Sequence, residues 1–481
     1  MDKSHQDSLN RCLLEFQKAN YLEAIKELKK LEIAETHFLI HWYLSHSYFK
    51  IHDYKKALEQ VKISIKLKSE DEINLNFLGE IYHQIYSYNE AIDTFKKVLE
   101  KNKKNIHALS NLAKINSELG NFEIAKDHYL EIIKHYPDNI GAWYELIKID
   151  KSYLNQDLVN KIENNYTNEK NKINQVYSNY ILAQYSNSKK NIEKEFEYII
   201  EAKKQYHSLK IKAFKQETNY YFNLLPKFIK KYSDIDYLSK KNIGPIFIMG
   251  LPRSGTTLIE NLISSGCPDM DFAEESEVFS KIFFKRKIIQ DYNNDELLDN
   301  FNKIGFEKLK LDILEQYSEI GINPNKVFTD KSLENFLYIE LIYKIFPNAK
   351  FIYCKRDKLA NFIGILKVFL PNLLWSNSIN SLVKMIELHH EKLNKIINEK
   401  KINIKIISLE SLSSNPKKYG KEIYDFLNLE WHEKFLNKNS NHKRVIKTLS
   451  SSQVREKIKE HNLDYLEPYK DLLEKYKIDL I

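Results

Sequence analysis

Residues 245–257 read Pro-Ile-Phe-Ile-Met-Gly-Leu-Pro-Arg-Ser-Gly-Thr-Thr. An apolar run from Pro245 to Met249 leads into Gly250, four residues, then Gly255, Thr256 and Thr257. A helical apolar pattern follows at Leu258, Ile259, Leu262 and Ile263. This order predicts a strand, a tight glycine loop and a helix N-terminus. Such a loop aims backbone N–H groups and the positive end of a helix dipole at one point, which suits a phosphate. The spacing matches the nucleotide-cradling G-x-x-x-x-G-K-[ST] pattern, except that Thr256 stands in the lysine position. That lysine normally reaches the β/γ-phosphates of a nucleoside triphosphate. Its absence points away from magnesium-bound ATP or GTP and from kinase-like phosphoryl transfer.

At 481 residues, 43% hydrophobic and 29% charged, the chain can bury a large core and divide into two to four domains. Cys12, Cys267 and Cys354 are far apart and form no C-x-x-C pair. A disulfide framework and a cysteine zinc site are therefore not expected, and a reducing, cytoplasmic compartment is. The N-terminus, Met-Asp-Lys-Ser-His-Gln-Asp, is polar and reads as the start of an amphipathic helix rather than a signal peptide. No apolar run approaches the roughly 18 residues of a membrane span, so membrane insertion is not expected. A net charge of +8 favours polyanionic ligands. The lysines are nevertheless spread along the whole chain, with no basic stripe interleaved with aromatics, and nucleic acid is not an expected partner.

The region 1–145 is periodic. Ala24, Ala57, Ala91 and Ala125 are spaced 33, 34 and 34 apart, and each follows an aromatic by three positions: Tyr21, Tyr54, Tyr88 and Phe122. The partner helices carry a second register at Leu44 with Tyr48, Leu78-Gly79 with Tyr82, and Leu112-Ala113. This pattern resembles the tetratricopeptide repeat, a helix–turn–helix unit of about 34 residues. The small alanine admits a close approach of two helices, and the aromatics read as core packing. Pro137 fits the close of a repeat, and a degenerate unit is expected at 176–206. In such solenoids binding belongs to the concave face. The arm is thus expected to bind a protein partner or to self-associate.

After position 240 the pattern changes to short apolar runs (245–249, 326–329, 350–354 and 402–407) between helical segments at 256–266, 333–346, 357–369, 379–399 and 415–427. Such alternation predicts a parallel sheet covered on both faces, with its site at the C-terminal strand ends. The expected organisation is a helical repeat domain over 1–225, a linker over 226–242, and a P-loop-like α/β domain over 243–481.

Pro252-Arg-Ser-Gly-Thr-Thr257 resembles the 5′-phosphosulfate loop of sulfotransferases that use 3′-phosphoadenosine 5′-phosphosulfate (PAPS). The order of motifs over roughly 243–460, with the repeat arm, is similar to bacterial repeat-containing sulfotransferases and to tyrosylprotein sulfotransferases. The resemblance implies cofactor contacts from Pro252, Arg253, Ser254, Gly255, Thr256 and Thr257, with Arg253 a rigid fork for phosphate or sulfonate oxygens. In Asp271-Phe-Ala-Glu-Glu-Ser-Glu277, downstream of the loop, it places the general base on Glu275. In Val327-Phe-Thr-Asp-Lys-Ser332 it assigns to Lys331 the stabilisation of charge as sulfonate leaves.

The fourth motif, Phe351-Ile-Tyr-Cys-Lys-Arg-Asp357, puts Arg356 at the 3′-phosphate. The family's serine eight positions on is Gly364 here, where only a backbone N–H remains to contact that phosphate. Ser450, in Leu449-Ser-Ser-Ser-Gln-Val-Arg455, aligns with an assisting serine. A cofactor-contacting tyrosine of relatives is Leu409 here, and a basic position is Tyr465, with Lys457 or Lys459 as substitutes. The implied reaction is in-line sulfonate transfer to an acceptor hydroxyl of a peptide, protein or saccharide, with fixed basic groups in place of a metal. The three departures motivate an alternative: a repeat scaffold whose transferase half is vestigial.

Overall fold

The structure is a computed structural model that describes residues 3–18, 20–34, 37–68, 71–166, 169–233, 238, 244–285, 303–399, 402–436, 458 and 462–480. Eight helices form the periodic arm: α1 (Lys3–Gln17), α2 (Tyr21–Ala34), α3 (Phe38–Lys50), α4 (Tyr54–Leu67), α5 (Glu72–Gln84), α6 (Tyr88–Lys101), α7 (Ile106–Leu119) and α8 (Phe122–His135). Asp53, Asp71 and Asn105 cap α4, α5 and α7 by accepting from Lys56 N, Asn74 N and Ala108 N. The four repeat alanines are fully buried. Their role as close-approach residues is shared by Gly79, where an added Cβ would lie 2.6 Å from the Phe95 ring. The turn inside the second, third and fourth repeats passes through the left-handed region at His52 (φ 61°), Tyr86 (φ 64°) and Gly120 (φ 84°), equivalent positions of successive repeats. Only Gly120 adopts it without a Cβ penalty.

The arm continues as α9 (Ile140–Ile149), α10 (Gln156–Tyr166), α11 (Lys172–Ser188), α12 (Ile192–Leu209), α13 (Ile211–Asn219) and α14 (Leu225–Ser233). The expected degenerate unit is the α11–α12 hairpin. α14 overlaps the segment read as a linker, 226–242, and buries Leu225, Phe228 and Ile229 in the same core as the sheet. Residues 239–243, the sequence boundary, lie outside the described residues.

Among the described residues, five parallel strands, β1 (Ile246–Met249), β2 (Asp271–Phe272), β3 (Phe328–Asp330), β4 (Lys350–Lys355) and β5 (Ile404–Ser408), pair in the order β2-β3-β1-β4-β5. The chain leaves β1 toward one edge and returns past it to β4. The C-terminal end of β1 is therefore the switch point where ligands bind in open α/β sheets. Both sheet faces are buried, which explains why β1 reads as a continuous apolar run. Ile246 and Ile248 face one core, with Ile259, Ile352 and Ile423. Phe247 and Met249 face the other.

Among the described residues, the helices of this region are α15 (Thr256–Gly266), α16 (Val278–Lys285), α17 (Lys303–Glu319), α18 (Ile339–Ile345), α19 (Lys358–Leu366), α20 (Ile379–Glu399), α21 (Leu409–Ser414), α22 (Pro416–Leu427) and α23 (Glu467–Lys475). The single helix expected at 333–346 is divided into a 3-10 turn, Leu333–Tyr338, and α18. Asp330 accounts for the tight start, since its Oδ1 accepts from both Ser332 N and Asn335 Nδ2 at 2.8 Å.

Arm and sheet share one core. Ala183, Phe196 and Ile199 belong to the same apolar cluster as Phe247, Phe351 and Trp375, and Phe369 packs among Tyr177, Tyr180 and Tyr206. Around the 3-10 turn Leu374–Asn377, Lys203 Nζ donates to Ser376 O at 2.8 Å. Glu217 accepts from Leu374 N at 3.0 Å and Trp375 N at 3.2 Å.

Candidate active site

The glycine loop forms as the sequence predicts. Gly255 is the N-cap of α15 at φ 94°, and it offers no side chain to the first-turn N–H groups. A Cβ on Gly250 would fall 2.4 Å from Ser254 Oγ and 2.8 Å from Cys354 O, so only glycine lets the loop fold against β4. Arg253 sits at φ 67°, a left-handed backbone that costs a non-glycine residue about 1–2 kcal/mol. Pro252 O accepts from Asn361 Nδ2 at 2.8 Å, which ties the loop to α19.

Arg356, just past the end of β4, folds back on this loop. Its Nη1 donates to Arg253 O at 2.7 Å, and its Nη2 donates to Tyr465 OH at 3.3 Å. A Cβ at Gly364 would lie 2.7 Å from Nη1 and 3.3 Å from Arg253 Cβ. The departure at 364 thus has a physical reason: the missing side chain makes room for the guanidinium. Burial, and then the neighbouring charge of Arg356, pull the Arg253 pKa below the usual arginine range. Among the described residues, Arg356 Nε and Ser254 Oγ are buried without a hydrogen-bond partner. Two crowded guanidiniums, two buried donors without a partner among the described residues and an uncapped helix start fit a bound anion such as a phosphate.

One strand over, Lys331 follows β3 and is fully buried. Its Nζ lies 3.0 Å from Glu275 Oε1 and 4.0 Å from both Glu260 Oε2 and Glu274 Oε2. Burial alone would lower its pKa. The charges of Glu275, Glu260 and Glu274 outweigh that and raise it, so the ammonium is held charged. The carboxylates differ in access: the Glu275 side chain is 29% exposed, Glu260 1% and Glu274 5%.

The acidic loop is held by β3. Lys331 N donates to Glu274 O at 2.9 Å, and Ser276 Oγ donates to Asp330 Oδ2 at 2.9 Å. Tyr317 OH donates to the same Oδ2 at 2.6 Å, and Glu277 N donates to Ser332 Oγ at 2.8 Å. Glu274 and Glu277 have positive φ (54° and 55°), which kinks the backbone on both sides of Glu275. Such outliers persist where the surroundings over-determine them.

The structure brings Arg253, Ser254, Gly255, Thr256, Thr257, Arg356 and Gly364 together around the loop, and Glu275 with Lys331 beside it. Leu409 packs on the loop, its Cδ1 2.8 Å from a Cβ built at Gly255, and Tyr465 reaches Arg356. Ser450, Lys457 and Lys459 lie outside the described residues. Sequence reasoning missed Glu260, which accepts from Thr329 Oγ1 at 2.8 Å, and the organising residues Asp330 and Asn361. A carboxylate on the apolar face of α15 was a usable signal for Glu260. Nothing in the spacing marked Asn361.

Residues 245–433 match a family described as "Sulfotransferase family", and residues 86–148 match "Tetratricopeptide repeat". The chain is 26% identical over 234 residues to a protein-tyrosine sulfotransferase of Drosophila melanogaster, covering 44% of this chain and 45% of that one. It is 25% identical over 213 residues to protein-tyrosine sulfotransferase 1 of Danio rerio, covering 42% and 57%. The chain spans between a third and a little over half of the length of the curated relatives it matches. Among solved structures, the sulfotransferase domain of a Synechococcus olefin synthase aligns at 18% identity and a TM-score of 0.29, covering 52% of this chain and all of that one. Among the described residues, no helix is long and apolar enough to cross a membrane.

Proposed function

We propose an enzyme that transfers a sulfonate to an acceptor hydroxyl, a reading supported by the match of residues 245–433 to a sulfotransferase family and of residues 86–148 to the tetratricopeptide repeat. The observation that carries this reading is the Lys331–Glu275 pair, 3.0 Å apart, at the C-terminal sheet edge one strand from the glycine loop. PAPS, when bound, supplies the sulfonate and leaves as adenosine 3′,5′-bisphosphate.

The loop N–H groups, Ser254, Thr256 and Thr257 hold the 5′ end, and Arg356 holds the 3′-phosphate in the space left by Gly364. Glu275, the most exposed of the three carboxylates around Lys331, takes the acceptor proton. Lys331 supplies positive charge without reorganisation where negative charge develops, which is the main electrostatic contribution to such a step. Arg253 adds a second cation, and Ser450 an assisting hydroxyl. Fixed basic groups supply the neutralisation, so the proposed mechanism assigns no metal ligand.

The names of the relatives support a peptide tyrosine as acceptor, and the repeats support a macromolecular partner. Cytoplasmic residence is part of the same proposal, supported by three free cysteines. Incubation with radiolabelled PAPS and a tyrosine-containing peptide library tests the reading. Transfer is expected to fall at least 100-fold in Glu275→Ala, in the range of a lost general base. Undiminished transfer in that variant removes Glu275 from the base role, and the absence of adenosine 3′,5′-bisphosphate binding removes the donor site.

A further inference from the structure

Of the four aromatics that share one register of the arm, Tyr21, Tyr88 and Phe122 are half-buried, whereas Tyr54 is buried, at 4% exposure. Tyr54 opens α4 just after the left-handed turn at His52, and its OH lies 2.8 Å from His52 Nδ1. Phe49 packs edge to face on the Tyr54 ring at 5.4 Å and meets Phe77 at 5.2 Å. The ring is therefore fixed from the arm side. Across from it stands the α/β domain. Lys281 Nζ sits 5.8 Å from the ring centre, inside the roughly 6 Å over which an aromatic face attracts a cation.

Lys281 lies in the first turn of α16, where a cation opposes the helix dipole and needs compensating partners. Its Nζ donates to Ser276 O at 2.8 Å and lies 3.7 Å from Glu277 Oε2. Ser276 is thereby held at two atoms: the carbonyl by Lys281, and the hydroxyl by Asp330 Oδ2 at 2.9 Å. The residue before it is Glu275, in a stretch kinked by positive φ at Glu274 and Glu277. Such a stretch keeps one shape only where its surroundings over-determine it. β3 contributes through Asp330 on Ser276 and through Lys331 N on Glu274 O at 2.9 Å. Lys281 adds a tether from another direction, and that tether ends on the arm.

We propose that Tyr54 and Lys281 are positioning residues for the base: the second repeat holds Lys281, and Lys281 holds Ser276 so that Glu275 stays beside Lys331. The role of Glu275 as base rests on the transfer reading above. The arm is then part of the site's construction, in addition to any partner it binds.

Carboxyl footprinting of the full-length, donor-free protein reads this directly. Carboxylates are coupled to glycine ethyl ester with a carbodiimide, and rates at Glu275 and Glu260 are resolved by tandem mass spectrometry. Lys281→Met and Tyr54→Leu are each expected to raise the Glu275 rate by about 3–10-fold, the factor that one hydrogen bond is worth. The Glu260 rate is expected to stay within about twofold, whereas general loosening of the fold would raise both. Lys281→Arg and Tyr54→Phe keep the cation and the ring, and their Glu275 rates are expected within about twofold of wild type. The double variant is expected to match Lys281→Met, because both changes break one linkage. If Tyr54→Leu does not fold, Lys281→Met and its arginine control decide. With radiolabelled PAPS and the tyrosine-containing peptide library, kcat of Lys281→Met is expected to fall about 10–100-fold, the cost of displacing a catalytic group by about 1 Å. KM for PAPS is expected to stay within about twofold, since the donor loop keeps its contacts.

An unchanged Glu275 rate in Lys281→Met, or a raised rate with unchanged kcat, overturns the positioning role. Titration with adenosine 3′,5′-bisphosphate separates that failure from the other one. Bisphosphate binding by wild type leaves the transfer reading standing when the positioning role falls. No bisphosphate binding removes the transfer reading, and the footprint still decides whether the arm holds Glu275.

Discussion

Replacing Lys331 by methionine removes one ammonium and leaves Glu260, Glu274 and Glu275 around an apolar side chain. At an effective dielectric of about 20, a unit charge pair at 3.0–4.0 Å is worth roughly 4–5.5 kcal/mol before desolvation. Removing one partner of a buried pair costs about 3–5 kcal/mol, because the remaining charge stays behind without compensation. The three carboxylates do not share that cost equally. Glu275 is nearest, but at 29% exposure it can be stabilised by water. Glu260, at 4.0 Å and 1% exposure, cannot.

The expected outcome is therefore a Lys331→Met variant destabilised by about 3–5 kcal/mol in urea unfolding followed by tryptophan fluorescence. Adding Glu260→Gln is expected to restore more of the loss than adding Glu275→Gln. The activity readout is expected in the opposite order, since Glu275 and not Glu260 is the proposed base. A Lys331→Met variant within about 1 kcal/mol of wild type would refute the charge cluster as the organising element of the site. So would a stronger rescue by Glu275→Gln.

Arg356→Gln is expected to weaken adenosine 3′,5′-bisphosphate binding by about 10–100-fold by calorimetry, the value of one or two charge-assisted hydrogen bonds. Gly255→Ala places a Cβ at φ 94°, 2.8 Å from Leu409 Cδ1, so it is expected to lower the thermal midpoint and the bisphosphate affinity together; a change in neither refutes the requirement. The junction turn Leu374–Asn377 is pH-sensitive on both sides. Burial pushes the Glu217 carboxyl up to about 8, so its contribution is present below the unfolded carboxyl range and is lost as pH rises through about 8. Burial holds Lys203 down to about 7, so its contribution is present above the unfolded lysine range and is lost as pH falls through about 7. Both costs are near their largest between pH 7 and 8. Urea midpoints across pH are expected to flatten on the acid side in Glu217→Gln and on the alkaline side in Lys203→Met; unchanged profiles contradict the assignment.

Much of the site was legible because the strand, loop and helix around 245–266 each speak locally. Apolar β1 residues, two glycines at fixed spacing and a helical apolar period all name the same turn. The repeat arm was legible for the same reason, since Ala24, Ala57, Ala91 and Ala125 report close helix contacts at a fixed period. What the sequence hid is non-local. β2 spans only Asp271 and Phe272 and takes its identity from pairing with β3. Glu260 and Lys331 are far apart along the chain, and their meeting depends on β1 and β3 being neighbours. The departure at Gly364 looked like a lost hydroxyl, because the sequence could not show that Arg356 fills the volume beside it. Ser450 lies outside the described residues.

The core shared by the arm and the sheet has a consequence for synthesis. A chain leaves the ribosome from its N-terminus, and domains fold as they emerge. The clusters around Leu28, Phe95 and Leu109 draw their buried residues from α1 to α9, so the leading repeats can pack as soon as they appear. Phe196, Ile199, Tyr220 and Phe228 have to wait for Phe247, Phe336 and Phe351, which are made later. During that interval the nascent chain presents a finished solenoid followed by an unfinished apolar seam. It is in this window that a chaperone, or aggregation, has its opportunity.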